Sequence, residues 1–108
     1  MAFDCTIERQ DDRLVVVPEG DIDVASAAAM RQVLQQIMDR REYHHIDVDM
    51  RAVTFLDSSG LGMFVAAHRA ATARGVALRL IEPGPVVRMV LEVTNLNEVL
   101  TGTTAQPS

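Results

Sequence analysis

The sequence lacks the features that mark several large classes of protein. It has one cysteine, Cys5, which cannot form an internal disulfide, and it has no tryptophan. No apolar run approaches the roughly 20 residues needed to span a bilayer, and the longest candidate is the short run 61–67. The first residues contain no basic segment followed by an apolar stretch, so we expect no signal peptide. Together these absences favour a cytoplasmic protein without a membrane partner.

Runs of basic residues are also missing. Lysine and arginine together number 10 against 15 acidic residues, which gives a formal net charge of −5. No basic stripe is present that could follow a phosphate backbone, so direct binding of nucleic acid is not expected. What remains is ordinary globular composition, 48% apolar and 23% charged. We expect residues 1–108 to form a single domain, with a core over about 5–100 and a frayed polar tail over 101–108.

Two strands joined by a short polar turn open the chain. Residues 5–10 and 13–18 are rich in strand-forming residues, and Gln10-Asp11-Asp12 separates them. We expect the second strand to end at Pro18, because proline has no N–H to donate to a neighbouring strand. Gly20-Asp21-Ile22-Asp23 is then expected to form a loop.

Helical and strand patterns alternate after this hairpin. Helical spacing predicts helices over 25–40 and 58–74, with Gly75 as the carboxyl-terminal cap of the second. A third helix is predicted to begin at Pro85. Period-two alternation predicts a strand over 46–50, and an apolar run predicts another over 76–81. The stripes expected to face the core are Ala27, Met30, Leu34, Ile37 and Met38 in the first helix, and Val86, Val87, Val90, Leu91 and Val93 in the third. Residues 95–100 are ambiguous.

This order indicates an α/β fold. Strands that alternate with helices form a sheet with parallel pairs, here preceded by an antiparallel hairpin. We therefore expect a mixed sheet of about four to five strands with helices packed on it. An architecture of this kind does not name a function.

The junction between the third strand and the second helix carries the clearest motif. It reads Phe55-Leu56-Asp57-Ser58-Ser59-Gly60-Leu61-Gly62. Serine and aspartate cap helices well, but two glycines near a helix start weaken the helix by up to ~1 kcal/mol each relative to alanine. Capping alone does not explain this combination. The glycines would instead leave the first turn bare, so that another surface can approach the backbone.

This run resembles the motif of bacterial anti-sigma factor antagonists, which belong to the sulfate-transporter and anti-sigma-antagonist (STAS) domains. The resemblance covers about residues 5–100 and includes the run 20–23, where the family has a Gly-acidic-apolar-Asp loop. It departs from the family at 94–97, which lacks the glycine that many relatives carry there. The resemblance implies a STAS-like fold.

The resemblance also implies a partner switch. The unphosphorylated antagonist would bind an anti-sigma factor that is also a serine kinase, and this binding would release the sigma factor. The kinase would then phosphorylate Ser58 and end the complex, and a metal-dependent serine phosphatase would reset the switch. The residues that the resemblance implies in partner binding are Gly20, Asp21, Asp23, Asp57, Ser59, Gly60, Leu61 and Gly62. We expect a monomer that binds no cofactor, since no Gly-rich phosphate loop is present.

The physical chemistry of Ser58 fits such a role. A phosphate adds about −1.5 to −2 charges near pH 7, and a helix amino terminus tolerates an anion. The domain should therefore stay folded while its interface is disrupted. In simpler interpretations, Ser58 is only a helix cap, Asp23 and Asp57 are only loop and capping residues, and Ser59 caps the helix or neighbours the site.

Other functions are weaker fits. A serine hydrolase would pair Ser58 with His44, His45 or His68, but Leu56 stands where the nucleophile elbow requires glycine. His68 is ten residues further along the helix, roughly 15 Å away. We therefore expect no enzymatic activity. The aspartates at 21, 23 and 57 have no metal-ligand spacing, so no metal is expected. The remaining alternative is a STAS domain that binds constitutively, as a subunit of a lipid-transport or stressosome-like assembly.

Overall fold

The computed structural model describes residues 4–102 and contains a mixed five-stranded sheet with four helices. The strands are Asp4–Gln10 (β1), Arg13–Ile22 (β2), His45–Asp49 (β3), Val53–Leu56 (β4) and Ala77–Ile81 (β5). The helices are Val24–Arg40 (α1), Ser58–Ala73 (α2), Pro85–Val93 (α3) and Asn97–Thr101 (α4). The predicted α/β fold class is confirmed, including the antiparallel hairpin at its start.

The strands are arranged in the order β1-β2-β3-β5, and β4 pairs with β2. The β1–β2 pair is antiparallel, and the β2–β3, β2–β4 and β3–β5 pairs are parallel. In the paired registers, Arg13 lies opposite His45 and Ile22 lies opposite Leu56. The β3–β4 segment therefore holds two more residues than β2 over the same span. One of them is accommodated around the irregular segment 50–52, which divides the partner of β2 into two short strands. The other is Thr54, at the register shift between Gly20 and Asp21.

β2 is longer than the sequence predicts. It runs through Pro18 to Ile22, so the expected end at Pro18 and the expected loop at 20–23 are wrong. The N–H of Gly20 donates to the carbonyl oxygen of Ala52 at 2.9 Å. Since N–H groups two residues apart in a strand point the same way, the nitrogen of Pro18 faces the irregular segment between β3 and β4. The missing N–H therefore costs no ladder hydrogen bond.

The core lies between the sheet and the helices. The predicted apolar stripe of α1 is buried throughout, with Met30 and Leu34 fully inaccessible to solvent. Among the methionines outside α1, Met63 is buried at 3% exposure, whereas Met89 is 57% exposed. The largest fully buried side chains are Phe64, Ile22, Met30, Leu34, Ile46, Met50, Leu56, Leu80, Leu91 and Leu100. They include residues of all four helices and of every strand except β1.

The carboxyl-terminal helices settle the ambiguous end of the sequence. Pro85 is the first residue of α3, as predicted. The ambiguous segment forms α4, which buries Leu100 and includes Thr101, so the predicted tail begins too early. Residues 103–108 of that tail lie outside the described part of the chain. Asn95 has a φ of 64°, a left-handed conformation that favours glycine and that asparagine tolerates well.

The predicted apolar face of α3 is only partly correct. Val87 and Leu91 are buried and Val90 is half-buried. Val86 and Val93 are instead 45% and 78% exposed. The helix therefore carries apolar side chains on its outer side as well as toward the core.

The side chains of Asp47 and Asp49 are buried charges on β3, on the face of the sheet opposite to Ile46 and Val48. The carboxylate of Asp47 accepts from Arg13 at 2.7 Å and from Arg79 at 2.9 Å, and Asp49 is paired with Arg51 at 2.7 Å. Burial alone would raise the pKa of Asp47, but the hydrogen bonds and charges of Arg79 and Arg13 outweigh it, and the pKa lies below its ordinary value. The pKa of Asp49 is also lowered, mainly by its hydrogen bonds from Arg51.

Candidate functional site

Two helices begin side by side at the carboxyl end of the sheet. Ile22 ends β2 and Leu56 ends β4, and these two residues are register partners. The N–H of Asp57 donates to the carbonyl oxygen of Ile22 at 3.3 Å. The chain passes from β2 into α1 through Asp23 and from β4 into α2 through Asp57. The two segments that the sequence singled out therefore share one end of the sheet.

Asp23 is the amino-terminal cap of α1. Its carboxylate accepts from the backbone N–H of Ser26 at 3.1 Å and from the Ser26 hydroxyl at 2.9 Å. The N–H of Asp23 in turn donates to the Ser26 hydroxyl, which completes a capping box. These hydrogen bonds from Ser26 hold the pKa of Asp23 below its ordinary value. The capping role that the sequence left open for Asp23 is thus present, and its carboxylate remains exposed.

Asp57, and neither serine, caps α2. Its carboxylate accepts from the N–H of Gly60 at 2.9 Å, and its carbonyl accepts from the N–H of Leu61 at 2.9 Å. Ser58 is the first residue of the helix and is exposed. Its hydroxyl has no hydrogen-bond partner within residues 4–102. The simple interpretation of Ser58 or Ser59 as the cap is therefore wrong, and the Ser58 hydroxyl is available for other chemistry.

The two glycines of the motif differ in their surroundings. A Cβ added to Gly60 would lie 2.7 Å from a methyl of Leu56 and 2.9 Å from the carbonyl oxygen of Ile22. Gly60 thus lets α2 begin tightly against β2 and β4. A Cβ added to Gly62 would meet nothing within 4 Å. The expectation of a bare first turn therefore applies to Gly62, which shares an exposed helix face with Ser58, and not to Gly60.

The remaining predicted residues divide between surface and core. Leu61 is buried at 9% exposure and Ser59 is half-buried. Asp21 is exposed, and its carboxylate accepts from the Thr54 hydroxyl at 2.5 Å across the β2–β4 pair. Gly20 has a φ of 88° beside the register shift between these strands, a conformation that side-chain-bearing residues adopt rarely. Gly60 and Leu61 accordingly shape the site from within, whereas Asp21 and Ser58 lie on its surface.

The site is acidic and its carboxylates are not neutralised. Asp21, Asp23 and Asp57 form no ion pair with any arginine or histidine in the described chain. By contrast, Asp39, Asp47 and Asp49 are each paired with arginine. Over residues 4–102 no group of three or more histidine, cysteine, aspartate or glutamate side chains is arranged to hold a metal ion.

The histidines considered for a hydrolase do not meet Ser58. His44 and His45 precede or begin β3, at the amino end of the parallel strands, whereas Ser58 follows the carboxyl end of β4. His68 lies on α2, ten residues beyond Ser58 and thus roughly 15 Å along the helix. The arrangement therefore places none of these three histidines beside the Ser58 hydroxyl.

Exposed apolar residues around the site were missed in the sequence. Phe55 on β4 is 46% exposed and Val24, the first residue of α1, is 70% exposed. On α3, Val86, Met89 and Val93 are exposed as well. The α3 stripe could have been found from its spacing of three and four residues, but the sequence could not show which apolar side of the helix faces the core. Within residues 4–102, no helix has the length and hydropathy required of a membrane span.

The chain is similar to one protein family and to several proteins of known function. A family model described as STAS domain matches residues 4–106. An anti-sigma F factor antagonist from Paenibacillus polymyxa is 23% identical over 100 residues, covering 93% of this chain and 86% of the relative. An anti-sigma-B factor antagonist from Listeria monocytogenes is 27% identical over 93 residues, covering 86% of this chain and 81% of the relative.

Solved structures share the fold. An anti-sigma factor antagonist from Mycobacterium paratuberculosis has a TM-score of 0.81 at 24% identity, covering 92% of this chain and 83% of that one. The Bacillus cell fate determinant SpoIIAA in its phosphorylated form has a TM-score of 0.69 at 21% identity, covering 86% and 85%. At these identities the structural likeness concerns the fold alone.

Proposed function

Because this chain belongs to the family of STAS domains, we propose that it is an anti-sigma factor antagonist switched by phosphorylation of Ser58. In its unphosphorylated form it binds an anti-sigma factor with serine kinase activity, and the sigma factor is released. Phosphorylation of Ser58 by that kinase ends the complex. A metal-dependent serine phosphatase restores the binding form, and the antagonist acts as a cytoplasmic monomer.

One observation carries the proposal: the Ser58 hydroxyl is exposed at a helix start and forms no hydrogen bond within residues 4–102. Asp57 supplies the capping oxygen, so Ser58 is free to accept a phosphoryl group. The backbone around it is held by Gly60 against β2 and β4. A kinase would therefore meet a serine on a fixed backbone with an unengaged nucleophile. A protein of the same fold, the Bacillus cell fate determinant SpoIIAA, has a structure in a phosphorylated form.

The fold tolerates the added charge. At the first position of α2 a phosphate lies near free backbone N–H groups and the positive end of the helix dipole, worth about 0.3–2 kcal/mol. Against this, the neighbouring carboxylates of Asp21, Asp23 and Asp57 have no cationic partner within the described chain. Phosphorylation therefore concentrates negative charge at one end of the sheet while the core is untouched.

The binding partner meets the altered surface directly. A partner packed closely over Ser58 must strip water from the phosphate, and burial of an uncompensated charge costs several kcal/mol. A loss of about 3 kcal/mol already lowers affinity more than a hundredfold. The phosphate thus separates the complex without unfolding the antagonist.

The experiment uses purified anti-sigma factor kinases of the source organism, tested one by one with the full chain. Each is incubated with ATP and magnesium, and the products are analysed by intact-mass and peptide mass spectrometry. We expect one kinase to bind the unmodified chain and to add a single phosphate to Ser58, and Ser58→Ala to bind but remain unmodified. Phosphate on Ser59 with Ser58 unmodified would contradict the site. Absence of binding across the panel would contradict the function and favour a constitutive binding module.

A further inference from the structure

An apolar stripe covers the outer side of α3. Val86, Met89 and Val93 follow one another at spacings of three and four residues and are 45%, 57% and 78% exposed. The inner side of the same helix buries Val87 and Leu91, at 1% and 0% exposure. A surface helix ordinarily presents polar residues to solvent. Burial of Val87 and Leu91 is enough to anchor α3 to the core. The exposed apolar stripe on its outer side therefore indicates an interaction surface.

The stripe belongs to the same end of the molecule as Ser58. α3 packs against β4, and β4 leads directly into Asp57 and Ser58. Exposed Phe55 lies on β4, and exposed Val24 begins α1 just after the Asp23 cap. Of the seven large apolar side chains that are well exposed within residues 4–102, five lie on α3, on β4 or at the start of α1. Apolar side chains are therefore exposed on the strand that leads to Ser58, on the helix packed against that strand and at the start of α1.

The charges around this surface indicate what covers it. Asp21, Asp23 and Asp57 have no cationic partner in the described chain, and they lie at the ends of β2 and β4. A second copy of this chain would bring the same three carboxylates and a further net charge of −5. Like charges oppose such a contact. A partner with basic residues around an apolar surface is complementary instead.

We infer that the α3 stripe, Val86, Met89 and Val93, is a docking surface for the anti-sigma factor, which faces it with an apolar patch and meets Asp21 and Asp23 with basic residues. This inference rests on the proposed function and adds to it. The apolar contact places Ser58 inside the interface, where a phosphate loses its water. The basic contacts lie toward β2 and α1, where they orient the partner without neutralising the phosphate.

The test measures binding of the anti-sigma factor kinase that binds the wild-type chain, by calorimetry without ATP. Met89→Lys should raise the Kd by at least about tenfold, since it removes apolar burial and places a charge in the contact. Val99→Lys is the matched control. Val99 is 49% exposed on α4, away from the site, and this variant should change the Kd by less than about twofold. Thermal denaturation of both variants checks that the fold is retained.

A second pair of variants tests the charge complementarity. Asp21→Asn and Asp12→Asn each remove one negative charge, at the carboxyl end of β2 and in the turn before it respectively. We expect only Asp21→Asn to weaken binding, by severalfold, and this difference should shrink as salt is raised.

The outcomes separate this inference from the proposed function. Wild-type binding with an unchanged Kd for a folded Met89→Lys would overturn the docking surface and leave the function standing. A wild-type dimer that becomes monomeric with Met89→Lys would show that a second copy covers the stripe, and would also overturn it. If no anti-sigma factor binds the wild type, the proposed function fails and the docking surface fails with it.

Discussion

The carbonyl oxygen of Ile22 lies 2.9 Å from the position that a Cβ on Gly60 would occupy. This oxygen also accepts the N–H of Asp57, so it cannot move away without loosening the start of α2. Gly60 is therefore a packing requirement of the junction between β2 and α2.

Gly60→Ala should destabilise the protein by about 1–3 kcal/mol, because the added methyl overlaps backbone that is fixed by a hydrogen bond. Gly62→Ala meets open space on the same helix and should stabilise it by up to ~1 kcal/mol. Urea denaturation of both variants measures the difference. Equal free energies of unfolding would show that the backbone at Gly60 relaxes around the methyl.

The cap of α2 provides a second prediction. Asp57→Ala removes the oxygen that accepts from the N–H of Gly60 and should cost about 0.5–2 kcal/mol. Asp57→Asn keeps a capping oxygen and should cost less. Ser58→Ala should change the free energy of unfolding by no more than about 0.5 kcal/mol, since the exposed Ser58 hydroxyl forms no hydrogen bond within residues 4–102. A larger loss for Ser58→Ala than for Asp57→Ala would reverse the assignment of the cap.

Much of the fold follows from the sequence because α1, α2 and α3 have apolar helical spacing and clear ends. Gly75 ends α2 and takes a φ of 75°, and Pro85 begins α3 as its fixed φ predicts. β4 could not be predicted, since Val53 and Leu56 are buried while Thr54 and Phe55 between them are exposed, which is not a period of two. Pro18 was misleading for a tertiary reason: its nitrogen faces the irregular segment between β3 and β4.

The candidate site was predicted as a set of residues and not as an arrangement. The motif identified Ser58 and its neighbours, but their division into surface and core depends on how closely α2 approaches Ile22. The same holds for α3, where both helix faces are apolar and only packing decides which is buried.

A negative charge at Ser58 should leave the domain folded. Ser58→Asp places a carboxylate near the positive end of the α2 dipole and should change the free energy of unfolding by between zero and roughly +1 kcal/mol. Urea denaturation and amide exchange across α2 measure this. Arg69→Asp, a charge change on the same helix outside its first turn, is the comparison. Loss of helical protection in Ser58→Asp would contradict the tolerance that we assign to the helix start.

Acid should destabilise the protein through its hydrogen-bonded carboxylates. The pKa values of Asp23, Asp47 and Asp49 lie below their ordinary value in the folded state. Their contribution is fully present above the unfolded pKa of about 3.9 and is lost as the pH falls through the lower folded pKa. The free energy of unfolding should therefore change little through these groups above about pH 5 and decrease below roughly pH 4.

Asp47→Asn isolates part of this effect. It removes the titrating group held by Arg13 and Arg79, so the decline below about pH 4 should become less steep. Asp39→Asn removes an exposed carboxylate paired with Arg74 and serves as the control. Denaturation at a series of pH values gives the slopes. If the Asp47→Asn slope equals that of the wild type, the arginines do not favour ionisation of Asp47 in the folded state.

Asp57, and not Ser58, supplies the oxygen that caps α2. This division of roles affects how the amounts of the modified and unmodified forms are controlled in the cell. Quality-control proteases act on unfolded molecules, so two forms with the same folding equilibrium are degraded at similar rates. If Ser58 is the acceptor, a phosphate that does not destabilise the fold leaves the modified form no shorter-lived than the unmodified one. The signal is then the ratio of the two forms, set by the modifying enzymes, while synthesis and turnover set the total amount independently.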